Sequence, residues 1–200
     1  MRIVGGRFGG HRLASPGAAG GGEAHLRPTS DRVREALFNL LAHGAYGDPP
    51  PPEGRRVLDL FAGTGALGLE ALSRGALQAT FVDDHGPSRA LIRTSVDALG
   101  LAGVTKIWRR DATRLGPHRG APFDLVFADP PYDRPDAAER ALISAREGGW
   151  LAPHALVVVE ADTARPPSLP AWLRVDDTRR YGNTLLTLAT LTRSEEGETP

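Results

Sequence analysis

From Arg56 onward the chain alternates short apolar runs with helix-length segments, and glycines punctuate the changes. VLDLF (57–61), ATFVDD (79–84), VTKIWRR (104–110), FDLVFAD (123–129) and ALVVVEA (155–161) read as five strands. Between them, residues 66–74, 87–99 and 136–147 read as helices stopped at Gly75, Gly100 and Gly148-Gly149. Such alternation predicts an α/β chain with a largely parallel sheet and helices on both faces. Two further β-rich segments, near 174–181 and 184–191, are joined by Tyr181-Gly182-Asn183. A turn that short predicts an antiparallel hairpin at one edge, for seven strands in all.

The front of the chain has a different texture. RIVGGRFGGHRL breaks apolar runs with Gly5-Gly6 and Gly9-Gly10, as in a small twisted β-hairpin, and residues 14–24 read as a mobile Gly/Ala loop. A helix follows, started at Ser30 and Asp31 and stopped at Gly44, with Val33, Leu37, Leu40 and Leu41 on one face. DPPPPEG (48–54) reads as a stiff polyproline-like connector. Residues 1–48 thus form an arm and helix packed on a core at 55–192, and the polar residues 193–200 a disordered tail.

Cysteine is absent, which excludes a disulfide framework, a thiolate metal site and a cysteine nucleophile. The six histidines lack metal-ligand spacing, so no metal is expected. No stretch approaches the roughly 20 apolar residues of a membrane span, and MRIVGGRFGG lacks a signal-peptide core; a cytoplasmic protein with no membrane partner is expected, and a monomer. Net charge is zero, yet residues 1–34 carry six arginines against Glu23 and Asp31. Arg2, Arg7, Arg12, Arg27, Arg32 and Arg34 are candidate phosphate contacts, although Arg32 and Arg34 could equally pair with Glu35 or cap a buried face.

In an open α/β sheet ligands bind beyond the carboxyl ends of the strands, and four of those ends are distinctive here. Asp59 precedes a glycine turn, Gly63-Thr64-Gly65-Ala66-Leu67-Gly68, that lets a ligand approach a helix N-terminus. The Asp59 charge would repel a pyrophosphate and suit a cation such as a sulfonium; alternatively it ties down the loop by accepting backbone N–H groups. Asp83 lies 20 residues past Gly63, a spacing that suits a carboxylate accepting both ribose hydroxyls, with Asp84 as the register alternative. Asp111, with the Ala112 N–H beside it, is placed to receive an adenine amino group, or else caps a turn. Glu160 reads as a solvated strand-end acid or a border of the pocket.

Asp129-Pro130-Pro131-Tyr132 is the most specific of the four. Two prolines stiffen the turn, so that the Asp129 carboxylate and the Pro130 carbonyl can aim at one point. Two acceptors there would hold an exocyclic NH2 by both protons and free the nitrogen lone pair for an electrophile. Tyr132 would offer a flat face for the base, worth about 1–3 kcal/mol.

RPTSDRVREALFNLL, LDLFAGTGALGLEALSRGA and ADPPY together resemble the RsmD-type family of 16S (small-subunit) ribosomal RNA guanine-N2 methyltransferases, over nearly the whole chain from RIVGG to YGNTLLTL. The resemblance implies a Rossmann-like class I methyltransferase fold and S-adenosylmethionine as cofactor. It implies as substrate one guanine of small-subunit rRNA, in the assembled or assembling 30S subunit. By the same resemblance Asp59, Phe61, Gly63 and Gly65 surround the methionine end of the cofactor, Asp83 takes the ribose, Asp111 and Ala112 the adenine, and Asp129, Pro130 and Tyr132 the target base. The chain departs from the family where the basic hairpin reads Gly9-Gly10-His11-Arg12-Leu13 and where the ribose acid is Asp rather than Glu. Competing readings are a DNA adenine-N6 methyltransferase, a nicotinamide oxidoreductase, which gives DPPY no role, and an RNA-binding module without catalysis.

Overall fold

The computed structural model describes residues 1–15, 30–131, 134 and 136–192. Arg27, Thr29, Tyr132, most of the 14–24 loop and the 193–200 tail lie outside the described residues.

Among the described residues, seven strands form one sheet: β1 (Arg56–Leu60), β2 (Gln78–Val82), β3 (Thr105–Trp108), β4 (Phe123–Ala128), β5 (Leu151–Asp162), β6 (Leu173–Tyr181) and β7 (Thr184–Leu191). Their order is β3-β2-β1-β4-β5-β7-β6; the first five run parallel, and β7 lies antiparallel to both β5 and β6. The expected sheet and C-terminal hairpin are therefore present. Because the chain builds outward from β1 to β3 and then returns to β4, the topological switch point falls between β1 and β4.

Among the described residues, four helices flank the sheet: α1 (Asp31–His43), α2 (Ala66–Ser73), α3 (Gly86–Ala98) and α4 (Ala137–Glu147). Strand alternation sends Val57, Phe81 and Phe127 into one core with α1, α2 and α3. It sends Leu58, Leu60, Val82 and Val126 into the other, with α4 and Trp150. Asp59 has the parity of Val57 and so faces α2. Every residue of α2 is buried, because Ile3 and Leu13 of the arm and Leu37 and Phe38 of α1 share its core.

Three local readings change. The arm returns on itself as a hairpin, but among its described residues only the Arg2–Arg12 pair forms a β-bridge, and its glycine tip winds into a 3-10 turn at Gly6–Phe8. Glycine supplies no side chain to extend a ladder, and Gly6 adopts φ +72°. The 48–54 segment is not an extended connector: Glu53 N–H donates to Pro50 O and Arg55 N–H to Pro52 O, in successive turns with Pro51 and Pro52 buried. Glu160 is no solvated strand end, being 5% exposed inside β5 opposite Leu186.

Candidate functional site

Beyond its last strand residue, β1 must pass from extended backbone into α2 within five residues. Phe61, Gly63 and Gly65 do so with φ of +59°, +55° and +76°. For Phe61 that conformation is strained, and Ala62 N–H donating to Val82 O at 3.1 Å helps to hold it. The third glycine answers to packing rather than to a ligand: a Cβ on Gly68 would stand 2.4 Å from the Phe81 ring.

Gly65 is the N-cap of α2 and offers no side chain to the helix amides. Asp59 substitutes from β1, its Oδ2 accepting the Gly68 N–H at 3.0 Å. The loop-tying role is therefore real, and a place beside a ligand's cation stays compatible with it. The carboxyl is 2% exposed; burial pushes its pKa up to about 8, against the pull of the Gly68 N–H and with the help of the Asp83 charge.

Asp83 ties the second strand to the same loop. Its Oδ2 accepts the Gly63 N–H at 2.7 Å and its Oδ1 the His85 N–H at 2.8 Å. Burial raises its pKa, opposed by those two N–H groups. Asp84, the register alternative, is exposed. Arg89 of α3 donates to the Asp83 carbonyl at 2.9 Å. Each Asp83 oxygen keeps a lone pair for a further donor.

Asp111 caps a 3-10 turn at Ala112–Arg114, with Oδ1 accepting both the N–H and the hydroxyl of Thr113 at 2.8 and 2.7 Å. Its slight burial works to raise the pKa, but the Thr113 bonds, Arg114 and Arg134 outweigh that and lower it. The turn-capping role is thus occupied by one oxygen. Ala112 is buried beneath.

β1 pairs with β4 as far as Leu60 opposite Ala128, and with β2 as far as Leu60 opposite Val82. Phe61, Asp83 and Asp129 consequently leave the sheet on neighbouring strands. Asp129 and Pro130 are half-buried at that rim, while Tyr132 lies outside the described residues. The loop from Phe61 to Gly68 carries no Lys or Arg, and Asp59 and Asp83 flank it. That set of acceptors fits a ligand carrying a sulfonium and a ribose, and disfavours a pyrophosphate. Among the described residues, no group of three His, Cys, Asp or Glu could hold a metal.

The arginines divide. Arg2, Arg7, Arg12 and Arg32 are exposed, and Arg7 lies 4.4 Å over the Phe8 ring. Arg34 is a correction: it is 0% exposed, paired with Asp31 at 2.9 Å and Glu70 at 3.5 Å, and donates to the Arg2 carbonyl. Its guanidinium is spent inside the protein and cannot reach phosphate. Sequence reasoning passed over Glu70 altogether. The available signal was a lone acid in the otherwise apolar run ALGLEAL, which must find a buried partner once that helix is covered.

A family model described as "Conserved hypothetical protein 95" matches residues 1–190. "Ribosomal RNA small subunit methyltransferase D" of Escherichia coli (strain K12) is 40% identical over 173 residues, 86% of this chain and 80% of the relative. This chain belongs to the RsmD family. The solved structure of yhhF from Escherichia coli superposes on the family fold seen here with a TM-score of 0.76, at 33% identity over 97% of this chain and 99% of that one. An RNA methyltransferase of Salinibacter ruber, solved with S-adenosyl-L-homocysteine, shares the fold at 15% identity and a TM-score of 0.60, over 84% of this chain and 95% of that one. The architecture is that of the class I methyltransferases.

Proposed function

We propose that this chain transfers the methyl group of S-adenosylmethionine to the exocyclic N2 of a guanine in small-subunit ribosomal RNA. Methylation of small-subunit rRNA follows from the family and its named relatives; guanine N2 is the finer reading. The observation that carries it is the Asp129-Pro130 turn at the end of β4, beside the glycine loop at the end of β1, across the switch point.

When bound, S-adenosylmethionine supplies a methyl group on a cationic sulfur that departs as a neutral thioether. Asp59 holds the loop through Gly68, and a sulfonium bound beside it would favour release of the proton that burial keeps on its carboxyl. Asp83 would accept the ribose hydroxyls with the lone pairs that Gly63 and His85 leave, and the second Asp111 oxygen and the Ala112 N–H would take the adenine. The Asp129 carboxylate and the Pro130 carbonyl would each accept a hydrogen bond from the target amine and so leave the nitrogen lone pair free for the methyl carbon; the part expected of Tyr132 from the sequence is a stacking face for the base. The amine proton leaves to Asp129 or to water as the N–C bond forms. Catalysis comes from positioning and from dipoles arranged in advance. The target guanine must leave its stack to enter the site, and Arg2, Arg7, Arg12 and Arg32 hold the surrounding phosphates.

The test is transfer of labelled methyl to unmethylated small subunits, naked rRNA, tRNA and duplex DNA in parallel. Label on guanine N2 of the small-subunit RNA is expected. Label on DNA adenine would overturn the substrate while keeping the chemistry.

A further inference from the structure

The arm touches the glycine loop as well as solvent. Its backbone is clamped on α2: the Glu70 carboxylate, 0% exposed, accepts the Val4 N–H at 2.7 Å and the Gly5 N–H at 2.8 Å. Ser73 accepts the Phe8 N–H at 3.0 Å and donates to the Gly5 carbonyl at 2.5 Å. Arg34 closes the clamp from α1, bonded to the Arg2 carbonyl and paired with Glu70. At the arm's other end the Met1 thioether accepts the Thr64 hydroxyl at 3.7 Å, and Thr64 stands between Gly63 and Gly65. One continuous set of contacts therefore runs from exposed Arg7 and Arg12, through the clamp, to the loop.

We propose that Glu70, Ser73 and Arg34 are positioning residues for methyl transfer, seating the arm so that it holds the glycine loop in its cofactor-binding shape. RNA seated on the arm's arginines then favours the same seated arm, so RNA and cofactor each strengthen the other's binding. This rests on the methyl-transfer reading above. A loose arm leaves the strained Phe61–Gly65 backbone with one fewer hold beside Asp59, Asp83, the Val82 carbonyl and its own Gly65–Ala62 bond, and part of the cofactor's binding energy goes into ordering it.

Gly6→Ala tests this without altering a charge or an apolar core residue. A Cβ there would stand 2.0 Å from the Ser73 carbonyl, at a φ of +72°. Ser73→Ala, which only removes two bonds to the arm, is the second variant should the first fold poorly. Cofactor affinity by calorimetry, KM and kcat by methyl transfer, and amide exchange of Thr64 and Gly65 are measured on the full chain. Both variants should raise the Kd and KM for S-adenosylmethionine by about 3- to 10-fold, hasten exchange in the loop, and leave kcat at saturating cofactor within about twofold. Folded variants with wild-type cofactor affinity and loop exchange would overturn the proposal, as would a fall in kcat at unchanged KM, the mark of a smaller folded fraction. A wild-type chain that binds no S-adenosylmethionine would instead sink the methyl-transfer reading and the clamp's purpose with it.

Discussion

Burial of the Asp59 carboxyl outweighs the opposing Gly68 N–H, and its pKa is pushed up to about 8. The native state keeps that proton from the ordinary carboxylate range, near 4, up to about 8, whereas the unfolded chain releases it near 4. Native protein thus binds more protons than unfolded in this window, so this group makes stability fall as pH rises through it. Asp83, raised by burial too, acts in the same direction. In Asp59→Asn an amide oxygen can still accept from Gly68 and never ionises. Urea midpoints should show the variant gaining on the wild type by a few kcal/mol between pH 5 and pH 8; an equal gap at both would refute the buried-proton account. Asp129 is the residue whose loss should be felt in chemistry alone. Asp129→Ala should cut turnover by about 10²–10³, by analogy with removal of one oriented polar group, while calorimetry finds cofactor affinity nearly unchanged. Full activity in that variant would remove Asp129 from the site.

At the scale of elements, α2 shows why a short helix can hold the molecule together. Its eight residues are all buried, so its one acid cannot be solvated and instead gathers two arm amides, Arg74 at 2.8 Å and Arg34. Glu70→Ala leaves those donors inside the protein with fewer acceptors. It should cost about 3–5 kcal/mol, the range for breaking a buried pair by removing one partner. A urea midpoint within experimental error of the wild type would show that water takes the carboxylate's place. The β1–α2 loop is legible in the sequence as glycines followed by a helix. That Gly68 serves the Phe81 ring and not a ligand is a contact between residues 13 apart, which no spacing rule contains.

For the molecule as a whole, charge is segregated by exposure rather than by position in the chain. Of the front arginines described, Arg2, Arg7, Arg12 and Arg32 face solvent and Arg34 does not. Arg7→Ala with Arg12→Ala should weaken binding to small-subunit rRNA uniformly and lower the slope of log affinity against log salt by about two. Arg34→Ala should instead show as lost stability. An unchanged salt slope in the double variant would move the RNA footprint off the arm. No helix among the described residues is long and apolar enough to cross a membrane.

Strand and helix alternation, and the placing of Asp83 and Asp129 just past the ends of their strands, were readable from local order. They depend on the period of apolar residues and on backbone rules that act within a few positions. Asp83 and Gly63, 20 residues apart by spacing, do meet at 2.7 Å, because parallel neighbours β1 and β2 end level. The tertiary structure alone decided which charges are solvated. It buried Arg34 and Glu70 against each other, drew Asp59 under α2, and folded the proline segment into turns where an extended connector was expected. Those outcomes turn on which surfaces cover one another. A charged residue reads the same in sequence whether water or another chain segment lies over it, and desolvation makes the two cases chemically different.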